Sequence, residues 1–129
     1  MVRNGDGHLK NFSVLYRSAQ DTRLSPLYHV VTTAIYRYTQ YAGGPELEDR
    51  SLALRLFRKS KTKAYPLPAE LQHFGRAVCG VAHPAAILQR IAQGMSETLN
   101  HAKTDARIAK QTLKQMRVAW EDGLAYGVT

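Results

Sequence analysis

The sequence predicts a mainly α-helical fold with a short β-hairpin near its start. Three stretches after residue 66 repeat apolar residues at intervals of three and four, which is the period of an amphipathic helix. Between residues 12 and 28, two short β-prone runs flank a polar turn, which is typical of a hairpin. A length of 129 residues fits one domain. We therefore expect a single domain over residues 1–129.

Composition and charge narrow the class of protein. Hydrophobic residues make up 44% of the chain and charged residues 22%, the proportions of a globular protein. No apolar run is long enough to span a membrane and the polar start is no signal peptide, so we expect a cytoplasmic protein with no membrane partner. The single cysteine, Cys79, excludes an internal disulfide, and its helix-like neighbours favour a buried apolar position. A net charge of +8 favours acidic partners.

The first candidate site is a polar loop in which Asp6 is followed five residues later by Asn11. The pattern D-x-x-x-x-N is the core of a protein-kinase catalytic loop. There the Asp accepts the proton of the substrate hydroxyl and the Asn holds a metal on the nucleotide phosphates. Gly5 and Gly7 flank the Asp and permit tight backbone conformations. The same residues also suit an ordinary surface turn, and the pattern alone favours the turn.

The residues after the loop strengthen the kinase interpretation. Residues 12–16 are apolar and β-prone, residues 17–22 are polar, and residues 23–28 form a second extended run in which Pro26 excludes a helix. A loop, a hairpin and an extended exit form the layout between a kinase catalytic loop and its metal-binding Asp. The order of these segments therefore agrees with the motif.

The stretch N-G-D-G-H-L-K-N-F-S-V-L-Y, followed by L-S-P-L-Y-x-V-V-T-T, resembles the HipA family of toxin kinases, including their C-terminal domain. That family reads N-x-D-x-H-x-K-N-x-S in the catalytic loop, and then L-A-P-x-Y-D, whose Asp is the second metal ligand. The resemblance is dense over residues 4–33. It implies the C-lobe portion of a protein-kinase-like fold, with the catalytic loop, hairpin and metal-ligand position in residues 1–29 and mostly helices in residues 30–129.

The resemblance also implies roles for individual residues. Asp6 matches the catalytic base and Asn11 the first metal ligand. His29 occupies the position of the second metal ligand, where an imidazole suits softer metals than the Mg²⁺ that a carboxylate binds. The remaining matches are to residues that bind the nucleotide: His8, Lys10 and Tyr28.

The function implied by the resemblance is the C-terminal part of a serine/threonine protein kinase of a type II toxin–antitoxin system. Its cofactors would be ATP and Mg²⁺, and its partners a protein substrate and an antitoxin of the HipB type. The sequence starts three residues before the motif, with no Gly-rich loop or nucleotide-anchoring Lys ahead of it. We therefore expect a truncated kinase that is inactive alone. Self-association or a separate N-terminal lobe should cover the hairpin residues Phe12, Val14, Leu15 and Tyr16.

Segment 30–66 is less clearly patterned. Apolar residues recur at helical spacing over residues 30–41, which predicts a helix that ends before Gly43. Residues 46–57 fit a helix, or a strand from residue 52 to residue 57 that pairs with residues 63–66 across a basic loop. The alternating leucines favour the strand.

Three helices are predicted for the remainder. The first begins at Pro68 and ends at Gly80. The second begins at Pro84 and carries one apolar stripe: Ile87, Leu88, Ile91, Met95 and Leu99. The third runs over residues 104–124, with the following residues on its apolar side: Ile108, Thr112, Met116, Ala119 and Trp120.

Two groups of basic residues form a second candidate site. The loop group is Arg55, Arg58, Lys59, Lys61 and Lys63. The helix group recurs at intervals of four and three along the third helix and predicts a cationic ridge: Lys103, Arg107, Lys110, Lys114 and Arg117. Each group fits a solvated surface or an electrostatic footprint for nucleic acid or an acidic protein. The alternative function is thus a non-catalytic basic helical module that binds nucleic acid or a partner protein.

Overall fold

The structure, a computed structural model, describes residues 1–128. Its second half contains three helices: α1 (Pro68–Ala77), α2 (Pro84–Ala102) and α3 (Lys110–Ala125). Its first half contains two antiparallel strand pairs: β1 (Val14–Tyr16) with β2 (Thr22–Leu24), and β3 (Arg37–Tyr38) with β4 (Leu47–Glu48). Short 3-10 helices at Leu9–Asn11 and Thr33–Ile35 precede β1 and β3. The predicted mainly α fold with a short β-hairpin is confirmed.

The predicted starts of α1 and α2 are also confirmed, whereas α1 ends at Ala77, three residues before the predicted stop at Gly80. Pro68 occupies the first turn of α1, and the backbone N–H of Leu67 donates to the Glu70 carboxylate at 2.7 Å. Beyond α1, Gly80 adopts a φ of 65°, a conformation that glycine takes without strain. Pro84 then starts α2. Cys79 lies in this connection, past the end of α1, and is exposed, so the expected buried position is wrong.

The core lies where α2 packs against α3. Met95, Leu99 and Trp120 form its buried centre. The buried face of α2 runs through Leu88, Ala92, Met95 and Leu99, at intervals of four, three and four. This face leaves Ile87 and Ile91 at its edge, each 43% exposed. The predicted stripe was therefore right in direction but included two edge residues in place of Ala92.

The helix predicted over residues 30–41 is wrong. The chain forms one turn of 3-10 helix and then β3, whose Tyr38 pairs with Leu47 of β4. The backbone N–H of Ala34 donates to the carbonyl of Arg3 at 3.3 Å, so this segment is held by the chain's first residues. Contacts with distant residues thus override a weak helical spacing that begins with β-branched residues.

The strand predicted over residues 52–57 is also wrong, although its partner segment was identified. A single antiparallel bridge joins Ser51 to Ala64, and the N–H of Leu52 donates to the carbonyl of Lys63 at 2.6 Å. Phe57 turns away to pack on α1, with its ring 5.5 Å from that of His73 and 5.8 Å from that of Phe74. This packing ends the pairing after one bridge.

Helix α3 begins at Lys110, six residues later than predicted. Asp105 accepts hydrogen bonds from both the backbone N–H and the guanidinium of Arg107, at distances of 2.7–3.0 Å, and so forms a turn. Lys103 lies at the end of α2 and Arg107 in this turn. The continuous ridge of five cations is therefore wrong, and only Lys110, Lys114 and Arg117 lie on α3. None of the helices in residues 1–128 is long and apolar enough to cross a membrane.

Candidate catalytic loop

Helix α3 fixes the segment on which the loop containing Asp6 is built. The indole Nε1 of Trp120 donates a buried hydrogen bond of 2.8 Å to the hydroxyl of Thr32. The hydroxyl of the next residue, Thr33, accepts the N–H of Gly5 at 2.6 Å and donates to the carbonyl of Arg3 at 3.2 Å. The backbone on the N-terminal side of Asp6 is therefore held by the hydroxyl of Thr33 and the N–H of Ala34, not by a strand or helix of its own.

Gly5 is buried where the loop around Asp6 packs against the backbone of Ser51. A Cβ atom at this position would lie 2.6 Å from the carbonyl oxygen of Ser51 and 3.0 Å from the hydroxyl of Thr33. The close approach requires glycine here, because the oxygen of Ser51 is backbone and cannot move alone.

Arg3 holds the loop against α3 by a second route. Its guanidinium lies 2.7 Å from the carboxylate of Asp122 and 4.5 Å from the centre of the Tyr65 ring. Its side chain is 13% exposed, whereas that of Asp122 is 80% exposed. The stem of Arg3 thus contributes packing in addition to charge.

Asp6 and His29 are in direct contact. The Oδ2 atom of Asp6 lies 3.0 Å from Nε2 of His29, and its Oδ1 atom lies 3.8 Å from Nε2 of His8. Asn4 links the same segments: its Oδ1 accepts the N–H of Asp6 at 3.0 Å, and its Nδ2 donates to the carbonyl of His29 at 3.1 Å. The Asp6 side chain is 54% exposed, which leaves it accessible from solvent.

His29 adopts a φ of 55°, in the left-handed region. Among residues with a side chain, Asn, Asp and His are enriched there. The backbone at this position therefore accepts either the imidazole present here or the aspartate of the family motif.

The other three predicted nucleotide or metal residues lie beside this contact. The Oδ1 atom of Asn11, at the end of the 3-10 helix Leu9–Asn11, accepts the N–H of His8 at 2.9 Å and so caps the start of that helix. The hydroxyl of Tyr28 donates to the carbonyl of Lys10 at 3.0 Å and lies 2.8 Å from the hydroxyl of Ser13. Contacts thus link Asp6, His8, Asn11 and His29 in one cluster, whereas Tyr28 contacts the backbone of Lys10. The roles of all six predicted residues stay predictions.

The ten predicted basic residues are not part of this cluster. Within residues 1–128, no hydrogen bond or ion pair joins any of them to the loop around Asp6. Sequence reasoning also missed two residues that shape the loop, Asn4 and Thr33. Both residues lie within the stretches that resemble the family, but the contacts of Thr33 could not be assigned from them, because its partners lie about thirty residues away.

The residues of the cluster do not fit Mg²⁺ as they stand. Mg²⁺ is usually held by one or two carboxylates together with phosphate oxygens. Here Asp6 supplies the cluster's carboxylate, and one of its oxygens is already bonded to His29. In the part of the chain that the structure describes, no group of three His, Cys, Asp or Glu side chains could hold a metal.

The hairpin next to the cluster is exposed on all six of its strand residues. Its most exposed apolar side chains are those of Tyr16, which is 71% exposed, and Leu24, which is 74% exposed. The four residues for which a cover was expected are all exposed: Phe12, two residues before β1, and the β1 residues Val14, Leu15 and Tyr16. The hairpin therefore presents uncovered apolar side chains within residues 1–128.

Comparison with known families identifies the chain. A protein-family model described as HipA-like C-terminal domain matches residues 1–120. No curated protein and no solved structure matched the chain. The matched range contains the Asp6 loop, the hairpin, α1, α2 and most of α3. The chain therefore belongs to the family of HipA-like C-terminal domains.

Proposed function

We propose that residues 1–129 supply the catalytic-loop part of a HipA-like serine/threonine protein kinase of a toxin–antitoxin system, and that they do not transfer phosphate on their own. The observation that supports this most strongly is the contact between Asp6 and His29, at 3.0 Å. It joins the residue that matches the family's base to the position of the family's second metal ligand.

The role proposed for Asp6 is to accept the proton of a serine or threonine hydroxyl. Its Oδ1 atom lies 3.8 Å from Nε2 of His8, beyond hydrogen-bonding distance, and this is the oxygen proposed to receive the proton. Asn11 and position 29 would face the metal, and three residues would line the nucleotide: His8, Lys10 and Tyr28. The protein substrate and a HipB-type antitoxin, both in the cytoplasm, are the partners that the family suggests.

Two features support inactivity of this polypeptide alone. Family membership implies ATP and Mg²⁺ in general, but His29 replaces the carboxylate that would bind the metal. Most of the catalysis of phosphoryl transfer comes from positioning and electrostatic stabilisation. Residues 1–129 contain no Gly-rich loop over the phosphates and no anchoring Lys ahead of Asp6. We propose that a lobe carrying these elements packs on the exposed hairpin.

Transfer of radiolabelled phosphate tests the proposal. We expect no transfer by residues 1–129 or by their His29→Asp variant. We expect transfer by the His29→Asp variant fused behind a HipA-like N-terminal lobe, and loss of that transfer on Asp6→Ala in the fusion. Transfer by the unfused His29→Asp variant would show that these residues already form a complete site. Transfer that survives Asp6→Ala would overturn the role of Asp6.

A further inference from the structure

Five cations between residues 55 and 63 have no acidic partner within residues 1–128, whereas most arginines elsewhere in the chain have one. Five arginines pair with carboxylates within 4 Å: Arg3, Arg23, Arg37, Arg50 and Arg107. We define the basic loop as residues 55–63, with its five cations Arg55, Arg58, Lys59, Lys61 and Lys63. All five are exposed, and none forms an ion pair within residues 1–128. No Asp or Glu occurs between Arg50 and Glu70, so the charge of the loop is uncompensated.

The basic loop has a defined conformation. The bridge between Ser51 and Ala64 closes its base, and Phe57 fixes its middle on α1. Within it, the N–H of Ser60 donates to the carbonyl of Phe57 at 3.0 Å, and the hydroxyl of Ser60 donates to the carbonyl of Thr62 at 2.9 Å. Because the uncharged residues make these bonds, the cationic side chains remain free. A ligand would therefore not have to order the backbone, which lowers the cost of binding.

We propose that the basic loop binds the phosphate backbone of a nucleic acid, as a function separate from phosphoryl transfer. Five positive charges in nine residues favour a partner with a similarly high density of negative charge. Duplex DNA carries about one negative charge per 1.7 Å of its helix axis. The aromatic ring of the loop, Phe57, is packed on α1 and cannot stack on bases or insert into a membrane. The contact is thus electrostatic and independent of base sequence.

Fluorescence anisotropy with a labelled 20-base-pair duplex of arbitrary sequence tests the proposal. If all five cations contact phosphates, the slope of log K against log salt is about −4.5. The loop variant Lys59→Gln, Lys61→Gln, Lys63→Gln should lose at least tenfold in affinity at low salt, and its slope should fall by about 2.7. All three lysines are exposed and unpaired, so the variant should keep the circular dichroism spectrum and unfolding midpoint of the parent chain.

A matched control removes the same charge elsewhere: Lys103→Gln, Lys110→Gln, Lys114→Gln. We expect this variant to lose no more than threefold in affinity. Equal losses in the two variants would show that net charge alone drives binding and would overturn the proposal. Tighter binding to phosphatidylserine vesicles or to polyglutamate than to the duplex would overturn it in favour of a membrane or an acidic protein. An absence of duplex binding at 50 mM salt would also overturn it.

Discussion

The indole Nε1 of Trp120 and the hydroxyl oxygen of Thr32 lie 2.8 Å apart in the protein interior, although 88 residues separate them in the chain. Trp120 belongs to the core between α2 and α3, whereas Thr32 adjoins the residue that holds the backbone of Gly5. The geometry around Asp6 therefore depends on the packing of the last helix.

Thr32→Val should destabilise the protein by about 1–3 kcal/mol, because it keeps the shape of the side chain but leaves the buried N–H of Trp120 without an acceptor. Urea unfolding followed by tryptophan fluorescence measures the change. The control is Thr22→Val on the exposed strand β2, which should change stability by less than about 0.5 kcal/mol. Equal effects of the two substitutions would contradict a special role for the Thr32 hydroxyl.

Two glycines within helices should respond in opposite directions to alanine. At Gly123 in α3, an added Cβ would overlap the carbonyl of Met1, so we expect Gly123→Ala to cost about 1–3 kcal/mol. At Gly94 in α2, an added Cβ would meet no heavy atom of residues 1–128 within 4 Å other than the helix's own nearby backbone, and Gly94→Ala should stabilise the helix by about 0.5–1 kcal/mol. Thermal unfolding of both variants checks this prediction. A stabilising Gly123→Ala would show that the first residues do not pack on α3.

Residues 1–129 should bind Mg-ATP weakly or not at all. The carboxylate of Asp6 is engaged with His29, and residues 1–129 include no Gly-rich sequence ahead of Asp6 that would cover the phosphates. Calorimetric titration should therefore give no saturation below about 1 mM, which corresponds to a binding free energy of about −4 kcal/mol. A dissociation constant in the micromolar range would contradict the prediction and would show that the cluster is sufficient for nucleotide.

The exposed hairpin should drive self-association when no other lobe covers it, because an apolar patch of this kind favours burial. Sedimentation at increasing concentration should show a dimer. The variant Tyr16→Lys, Leu24→Glu should be monomeric, since it places two charged side chains on one face of the hairpin. The charges on the two strands are of opposite sign, so they should not repel each other within the hairpin.

The control for this experiment is Ile87→Lys, Ile91→Glu, which replaces two half-exposed apolar residues on α2. This variant should associate as the parent chain does. If it becomes monomeric and the hairpin variant does not, the association surface lies on α2 instead.

The pairing of Glu48 should make stability depend on pH. The hydrogen bond from Arg50, together with the charge of Arg37, holds the pKa of Glu48 below its usual value of 4.5. A pKa that is lower in the folded state adds stability above pH 4.5, and this stability is lost as the pH falls through the folded pKa. Glu48→Gln should therefore cost up to about 1 kcal/mol at pH 7. The difference from the parent chain, measured by urea unfolding, should shrink below pH 4.5, and a constant difference would exclude this ionic contribution.

The elements that could be predicted from sequence are those encoded by neighbouring residues. Helices α1 and α2 begin at prolines and carry regular apolar spacing, and the Asp6 loop carries a dense motif. Segment 30–66 could not be predicted, because its conformation follows from partners far along the chain. Tyr38 pairs with Leu47, and Phe57 packs on α1.

Local competition explains the other errors. The start of α3 was placed too early because the turn formed by Asp105 and Arg107 interrupts a sequence that otherwise has helical spacing. The stripe predicted on α2 included the edge residues Ile87 and Ile91 and omitted Ala92, because Ala92 is small and gives a weak apolar signal, whereas Ile87 and Ile91 give a strong one. In the loop around Asp6, the motif identified the chemical groups but gave Thr33 no role, because the contacts of Thr33 depend on the tertiary fold.

The ion pair between Arg3 and Asp122 also joins two residues that are synthesised at widely separated times. The ribosome makes Arg3 119 residues before its partner on α3. At about 5–20 residues per second, the interval is roughly 6–24 s. A nascent chain therefore exposes the loop without the helix that carries Asp122 and Trp120, and a polypeptide interrupted before α3 lacks both the ion pair to Arg3 and the hydrogen bond to Thr32.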